Sequence, residues 1–258
     1  MALAEAARAL WIAGRFLTRL PFPDPGLLDG PGLARAVLAY PLIGLIIGGL
    51  LGALAFLAEG AGMPPGLTAA LLLTAWVGVT GGLHVDGLAD TADAWVGGLG
   101  DREKTLAILK DPYAGPMGVA ALVVVLIGKW AALEVLLQTP DGLALAVLIG
   151  IPVLARSGLV LLILTTPYVR RGGMGDGVAA HLPRRPAVAV VMGSGAAVVV
   201  GMGGLGGVLL LLTLGLTLGW RRRVQSRLGG MTGDTAGALV EGLEWALLIV
   251  AAGWLGRP

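Results

Sequence analysis

Three aspartates stand at positions 86, 90 and 93 of "GGLHVDGLADTADAWVGG" (81–98), with His84 just ahead of them and no basic residue until Arg102. On a helix turning about 100° per residue they point to about 0°, 40° and 340°, a single narrow face. Two carboxylates ~6 Å apart repel by roughly 3 kcal/mol at an effective dielectric of ~20. A row of three therefore calls for protonation, a cationic partner or a metal. All-oxygen ligation suits Mg²⁺, Mn²⁺ or Ca²⁺. The competing reading is a solvated helix face at a membrane boundary. His84 on its own reads first as an interface or capping residue and second as a ligand. Further acids follow: Asp111, beside Lys110 in "LKDPYAGPMG", and Asp234, Glu241 and Glu244 in "GGMTGDTAGALVEGLEWALL". Asp234 also suits a helix N-cap. Glu241 and Glu244 lie in an apolar stretch where carboxylates are expensive, and pairing with Arg156 or Lys129 is the structural way to hold them. Arginines cluster at 170–171, 184–185 and 221–223. Each cluster reads as a membrane-side anchor or as a phosphate contact. Carboxylates able to hold a divalent ion, ringed by basic loops, suit a pyrophosphate substrate.

The elements that carry these residues are membrane-like. The 258-residue chain is 56% hydrophobic and 13% charged, with a mean hydropathy of +0.87. Soluble domains carry about 25% charged residues. The deficit and the long apolar runs predict an all-α, polytopic helix bundle. Spans are expected near 37–58, 67–83, 117–138, 142–166, 186–202, 204–220 and 235–255. The Gly-rich "GMGGLGG" (201–207) reads as a turn between two spans or the middle of one tilted helix. Pro152 and Arg156 predict a kink and a buried cation in the fourth. "LAEAARALWIAGRFLTRL" gathers Leu3, Leu10, Trp11, Leu17 and Leu20 on one stripe opposite Arg8, Arg15 and Arg19, as in an interfacial amphipathic helix. Its charges do not read as a cleaved signal peptide. With seven spans, 15 of the 18 lysines and arginines fall on one side. Lys129 and Arg156 lie within spans, and only Arg257 lies opposite. The positive-inside rule makes the first side cytoplasmic. The long loops, about 84–116, 167–185 and 221–234, share that side, so a single membrane-embedded domain is expected with its chemistry facing the cytoplasm. The net charge of +2 gives no support to nucleic-acid binding, and the absence of cysteine excludes disulfides and thiolate chemistry.

Against this background "GGLHVDGLADTADAWVGG" followed by "DREKTLAILKDPYAGPMG" resembles the cobalamin synthase family, the adenosylcobinamide-GDP ribazoletransferases. The likeness continues in "FLTRLPFP" (16–23), "YPLIGLIIG" (40–48), "GKWAAL" (128–133) and "GGMTGDTAGA" (229–238), in the same order. The chain departs from the family's usual form at "DPYAG", where Ser-Arg commonly follows the aspartate, and at Ala94, where glycine is usual. The resemblance implies a phosphotransferase of vitamin B12 assembly. A ribose hydroxyl of α-ribazole, or of its 5′-phosphate, attacks the cobinamide-bound phosphoryl group of adenosylcobinamide-GDP, and GMP leaves. It further implies Mg²⁺, with Mn²⁺ as a substitute, and a bacterial or archaeal cytoplasmic (inner) membrane with the N-terminus inside. By the same token Asp86, Asp90, Asp93 and Asp234 become metal-ligand candidates. Asp86, Asp90, His84 and Asp111 become catalytic candidates. Lys110, Arg102, Arg19, Arg156, Asp234 and Glu241 become substrate contacts. A homo-oligomer, or a complex with other corrinoid-assembly enzymes, is compatible with the long loops.

Two other classes compete. CDP-alcohol phosphotransferases run similar chemistry on a D-x-x-D-G-x-x-A-R pattern. Here Asp86-Gly87 leads to Ala89 and then Asp90 where that pattern has arginine. An ion-coupled transporter would favour midplane sites and inverted repeats, and no repeat is visible.

Overall fold

The computed structural model describes residues 2–139, 142–170 and 174–256. Arg171 and Arg257, both used in the charge-sidedness reading, lie outside them. Among the described residues there is no strand, only an isolated bridge between Tyr168 and Met231. The helices are α1 (Ala2–Leu17), α2 (Gly30–Ala36), α3 (Tyr40–Gly60, entered through a 3-10 turn at Val37–Ala39), α4 (Pro65–Thr80), α5 (Leu83–Gly97) and α6 (Arg102–Ile108). They continue with α7 (Pro116–Leu137), α8 (Leu143–Thr165), α9 (Met174–His181), α10 (Arg184–Leu228) and α11 (Gly233–Leu255).

Five of these are long and apolar enough to cross a membrane, or six if the bent pair α4 and α5 counts as one crossing. The 45-residue α10 is not one rod. Gly203 adopts φ 57° and ψ −129°, a conformation open essentially to glycine alone. Beyond it the chain doubles back. A Cβ on Gly206 would lie 2.5 Å from the Val198 carbonyl oxygen, and one on Gly195 would touch Leu210. The Gly-rich stretch is therefore the turn of a helical hairpin. Six of the seven segments expected from sequence overlap α3, α7, α8, the two arms of α10, and α11, whereas the second overlaps α4, which has 16 residues and reaches the length of a crossing only together with α5.

The core is made where α8 packs against α3, α10 and α11. Most of α8 is buried, and Pro152 lies inside it without ending it. α1 turns Ile12, Ala13 and Leu17 into the protein and leaves Leu3 exposed. Its apolar stripe is thus partly spent on α2 and α3, and does not serve the bilayer alone.

One local device decides where the acids go. Gly81 and Gly82 both have positive φ, 62° and 70°. The Gly81 N–H donates to Gly78 O and the Gly82 N–H to Val77 O, closing α4 with a Schellman-type cap. The chain leaves this elbow bent by 88°. α4, about 24 Å long at 1.5 Å per residue, is thereby followed by a helix turned nearly at right angles to it and packed against α11 and α7.

Candidate active site

α5 is helical through all three aspartates, so they share one face as the spacing requires. Their surroundings differ. Asp86 is exposed, while Asp90 and Asp93 are half-buried. Asp93 reaches the start of α7, where its Oδ2 accepts from the Gly115 N–H (2.7 Å) and its Oδ1 from those of Met117 (3.1 Å) and Gly118 (2.9 Å). These are among the unpaired donors of a helix N-terminus, where a carboxylate also faces the positive end of the dipole. Both oxygens of Asp93, expected from sequence as a metal ligand, are thus engaged in fastening α5 to α7.

Asp86 meets Asp234 because α5 and α11 cross at very close range. Gly87 lies against the Asp234 backbone, where a Cβ would come within 2.7 Å of the carbonyl oxygen, and Gly237 lies against His84 Cα. Asp234 sits in the first turn of α11, behind an N-cap at Thr232 that forms a capping box with Thr235. The strand-like bridge ties the two flanking segments together. The Val169 N–H donates to Met231 O at 3.0 Å, and the Met231 N–H to Pro167 O at 2.9 Å. It brings Arg170 onto Asp234 Oδ2 at 2.7 Å, while the same guanidinium nitrogen donates to Leu109 O. Arg170 thus joins three loops that are remote in sequence. Asp90 lies within electrostatic reach of Asp86, Asp234 and Arg170. Partial burial first, then the charges of Asp86 and Asp234, push its carboxyl up to about 6, against the pull of Arg170.

Asp86 and Asp234 also stand on the wall of a cavity of about 290 Å³. Its other walls are apolar, from α1, α2, α8 and α9, and include Phe16 stacked on Tyr40 at 6.3 Å. His84 forms part of the same wall.

Among the described residues no three histidine or acidic side chains converge closely enough to hold a metal by themselves. Mg²⁺ does not need such a cage. It keeps several waters and is commonly held by one or two carboxylates together with substrate phosphates. Asp86 and Asp90 fit that arrangement, and the mutual repulsion felt at Asp90 is what a cation would relieve.

A family model for cobalamin-5-phosphate synthase matches residues 9–252. The chain belongs to this family. Proteins named adenosylcobinamide-GDP ribazoletransferase resemble it along almost its whole length. One from Pseudomonas aeruginosa (strain UCBPP-PA14) is 52% identical over 251 residues, covering 97% of this chain and all of the relative. Another from Pseudomonas entomophila (strain L48) is 50% identical, covering 93% and 96%. No solved structure matches the chain significantly. The chain is thus a transferase-family membrane protein of helices, as the sequence reading expected.

The remaining expected site residues divide into two groups. Arg156 and Glu241, taken from sequence as substrate contacts, lie away from the cavity wall. Both are buried in the bundle and paired within it. Lys129 Nζ binds Glu241 at 2.5 Å and Glu244 at 2.6 Å, and Arg156 binds Glu244. The pairing weighed from sequence as the structural option is the one present. Arg102 is exposed, and its Nε donates to Leu228 O at 2.8 Å, tying α6 to the end of α10. Lys110 and Asp111 are exposed, next to the Leu109 carbonyl that Arg170 holds, and Asp111 Oδ1 accepts from the Tyr113 N–H. Arg19 is exposed and packs over Gly81 at the elbow, where its N–H donates to Val79 O. Sequence reasoning missed the particular role of Arg170, which its basic cluster concealed, and that of Thr232. The signal for Thr232 was available, because Thr-x-x-Thr ahead of an apolar run is a helix-start pattern.

Proposed function

We propose that the protein is an adenosylcobinamide-GDP ribazoletransferase that joins α-ribazole, or its 5′-phosphate, to the cobinamide phosphate and releases GMP. The reading is carried by the Asp86–Asp234 pair on the cavity wall, with Asp90 and Arg170 in electrostatic reach, in a chain that matches the family over residues 9–252. A ribose oxygen of the ribazole forms a bond to the cobinamide-bound phosphorus while the bond to the GMP oxygen breaks. The hydroxyl proton passes to a carboxylate, and the leaving GMP takes the electron pair.

Asp86 and Asp90 would hold Mg²⁺, or Mn²⁺ in its place, which supplies neutralisation of pyrophosphate charge when bound. Asp234 has one oxygen held by Arg170 and stands on the cavity wall where the hydroxyl must arrive. It is the group placed to take the proton. Arg170 fixes that carboxylate and, by holding Leu109 O, keeps the Lys110–Asp111 loop beside the site. Exposed Lys110 and Arg19 are available to the phosphates. Asp93 positions α5. The site faces the cytoplasm of a bacterial or archaeal inner membrane by the asymmetry of basic loops, within one membrane-embedded domain.

The purified chain, in detergent or bilayers, is expected to convert adenosylcobinamide-GDP and α-ribazole to a cobamide and GMP only with a divalent metal. Undiminished activity in EDTA would remove the metal from the mechanism. No product across a Mg²⁺ and Mn²⁺ series would overturn the transfer itself.

A further inference from the structure

The apolar cavity beside the acid pair is larger than packing defects and lies at the small end of ligand pockets, which run from about 300 to 1,000 Å³. Its wall combines four features. Most of it is aliphatic. Phe16 and Tyr40 present stacked rings. Asp86 and Asp234 stand together on it. Among the described residues no lysine or arginine contributes to it, so phosphate groups find no cationic partner there. The fourth feature is His84, 2% exposed. Its Nδ1 faces Arg156 Nη2 at 3.5 Å. Arginine can only donate, so Nδ1 is the acceptor and the imidazole proton rests on Nε2. That Nε2 is buried and has no hydrogen-bond partner among the described residues. An unmatched buried donor is costly unless a ligand completes it.

We infer that this cavity is the nucleophile subsite, that it takes the uncharged bicyclic base of the ribazole between the Phe16–Tyr40 wall and α8, and that His84 Nε2–H donates to the base's free ring nitrogen. The inference rests on the ribazoletransferase reading and adds to it which substrate goes where. The base of α-ribazole is an apolar benzimidazole with one nitrogen bonded to ribose and the other carrying a lone pair. It thus offers one acceptor in an otherwise apolar outline, which is what one donor in an apolar cavity selects. A corrin ring is far too large for about 290 Å³, and guanine brings several donors and acceptors that the wall would leave unpaired. With the base inside, the ribose comes to Asp86 and Asp234, and the ribose hydroxyl is delivered to the acid pair. The GDP-activated corrinoid is left to the open side over α5. His84 is here a substrate-binding and specificity-determining residue and not a proton carrier.

The test is calorimetric titration of the full chain in detergent with α-ribazole and with the riboside analogue in which the free ring nitrogen is replaced by C–H. A site built around one hydrogen bond should favour α-ribazole by about tenfold or more. His84→Phe should erase that preference. Ala236→Phe, which fills the cavity from α11, should weaken α-ribazole by about tenfold while adenosylcobinamide-GDP affinity changes less than about twofold. Phe16→Ala, at a half-exposed position, supplies a second variant with little risk to folding and should weaken α-ribazole several-fold. Equal affinity for the two ribosides, or variants that weaken adenosylcobinamide-GDP and leave α-ribazole untouched, would overturn the inference. A wild-type protein that binds α-ribazole in this way but makes no cobamide would overturn the transferase reading and leave the cavity assignment standing.

Discussion

At the scale of single residues, the acids separate by what already satisfies them. Asp93 has three backbone donors and Glu241 and Glu244 have buried cations, whereas Asp86 and Asp90 have neither among the described residues. Asp90→Asn, nearly isosteric, is therefore expected to leave the protein folded and lower kcat by about 10²–10³-fold, the usual loss for one element of charge stabilisation. Steady-state turnover beside a melting curve in the same detergent checks both halves. Glu244→Ala is expected to act in the opposite sense, costing about 3–5 kcal/mol of stability because it strands Arg156 in the interior and leaves Lys129 with Glu241 alone. Denaturant unfolding of the solubilised protein reads that loss. Spacing alone placed the three aspartates on one face, but it could not show that the last of them turns toward another helix. That depends on α7 starting beside it, a tertiary fact without local signature. Arg170 was hidden for a related reason, since one arginine in a basic cluster looks like any other until its partner Asp234 is brought to it.

At the scale of elements, α5 is a short helix suspended between two fastenings. The Gly81–Gly82 elbow sets its direction, and Asp93 caps α7 at its far end. Asp93→Ala should cost about 1–2 kcal/mol, as for loss of a strong helix cap, and amide exchange at the first turn of α7 should rise ahead of the rest of the bundle. Equal exchange in variant and wild type would refute the capping role. The long apolar runs made every crossing helix legible, because their lengths match a bilayer and their ends carry Gly or Pro. The ambiguous Gly-rich stretch was settled by Gly203, whose backbone only glycine tolerates. The short helices α2, α6 and α9 were not expected, having too few residues for a periodic signal. The same shortness explains why α1 was read as lying on the membrane: the partners that bury Ile12 and Leu17 were not visible from sequence.

At the scale of the whole molecule, Arg19 at the elbow, Asp86, Asp234, Arg170 and the turn next to Lys110 gather near the end of α4, while Met63 and Pro64 lie beside Gln138 and Thr139 at its start. The chain has no cysteine, so single-cysteine variants report sidedness directly. Leu99→Cys and Tyr113→Cys, both well exposed, should react with a membrane-impermeant maleimide only from the cytoplasmic side of oriented vesicles. Met63→Cys and Gln138→Cys should react only from the other. Labelling of both pairs from one side would reject the orientation. The interior ion cluster has a further consequence at this scale. Lys129 and Arg156 carry two positive charges, and Glu241 and Glu244 carry two negative ones. The membrane potential acts at about 2.3 kcal/mol per elementary charge per 100 mV. On two cations and two carboxylates its pulls oppose one another, so the field acts on the cluster only through the separation of those charges along the membrane normal.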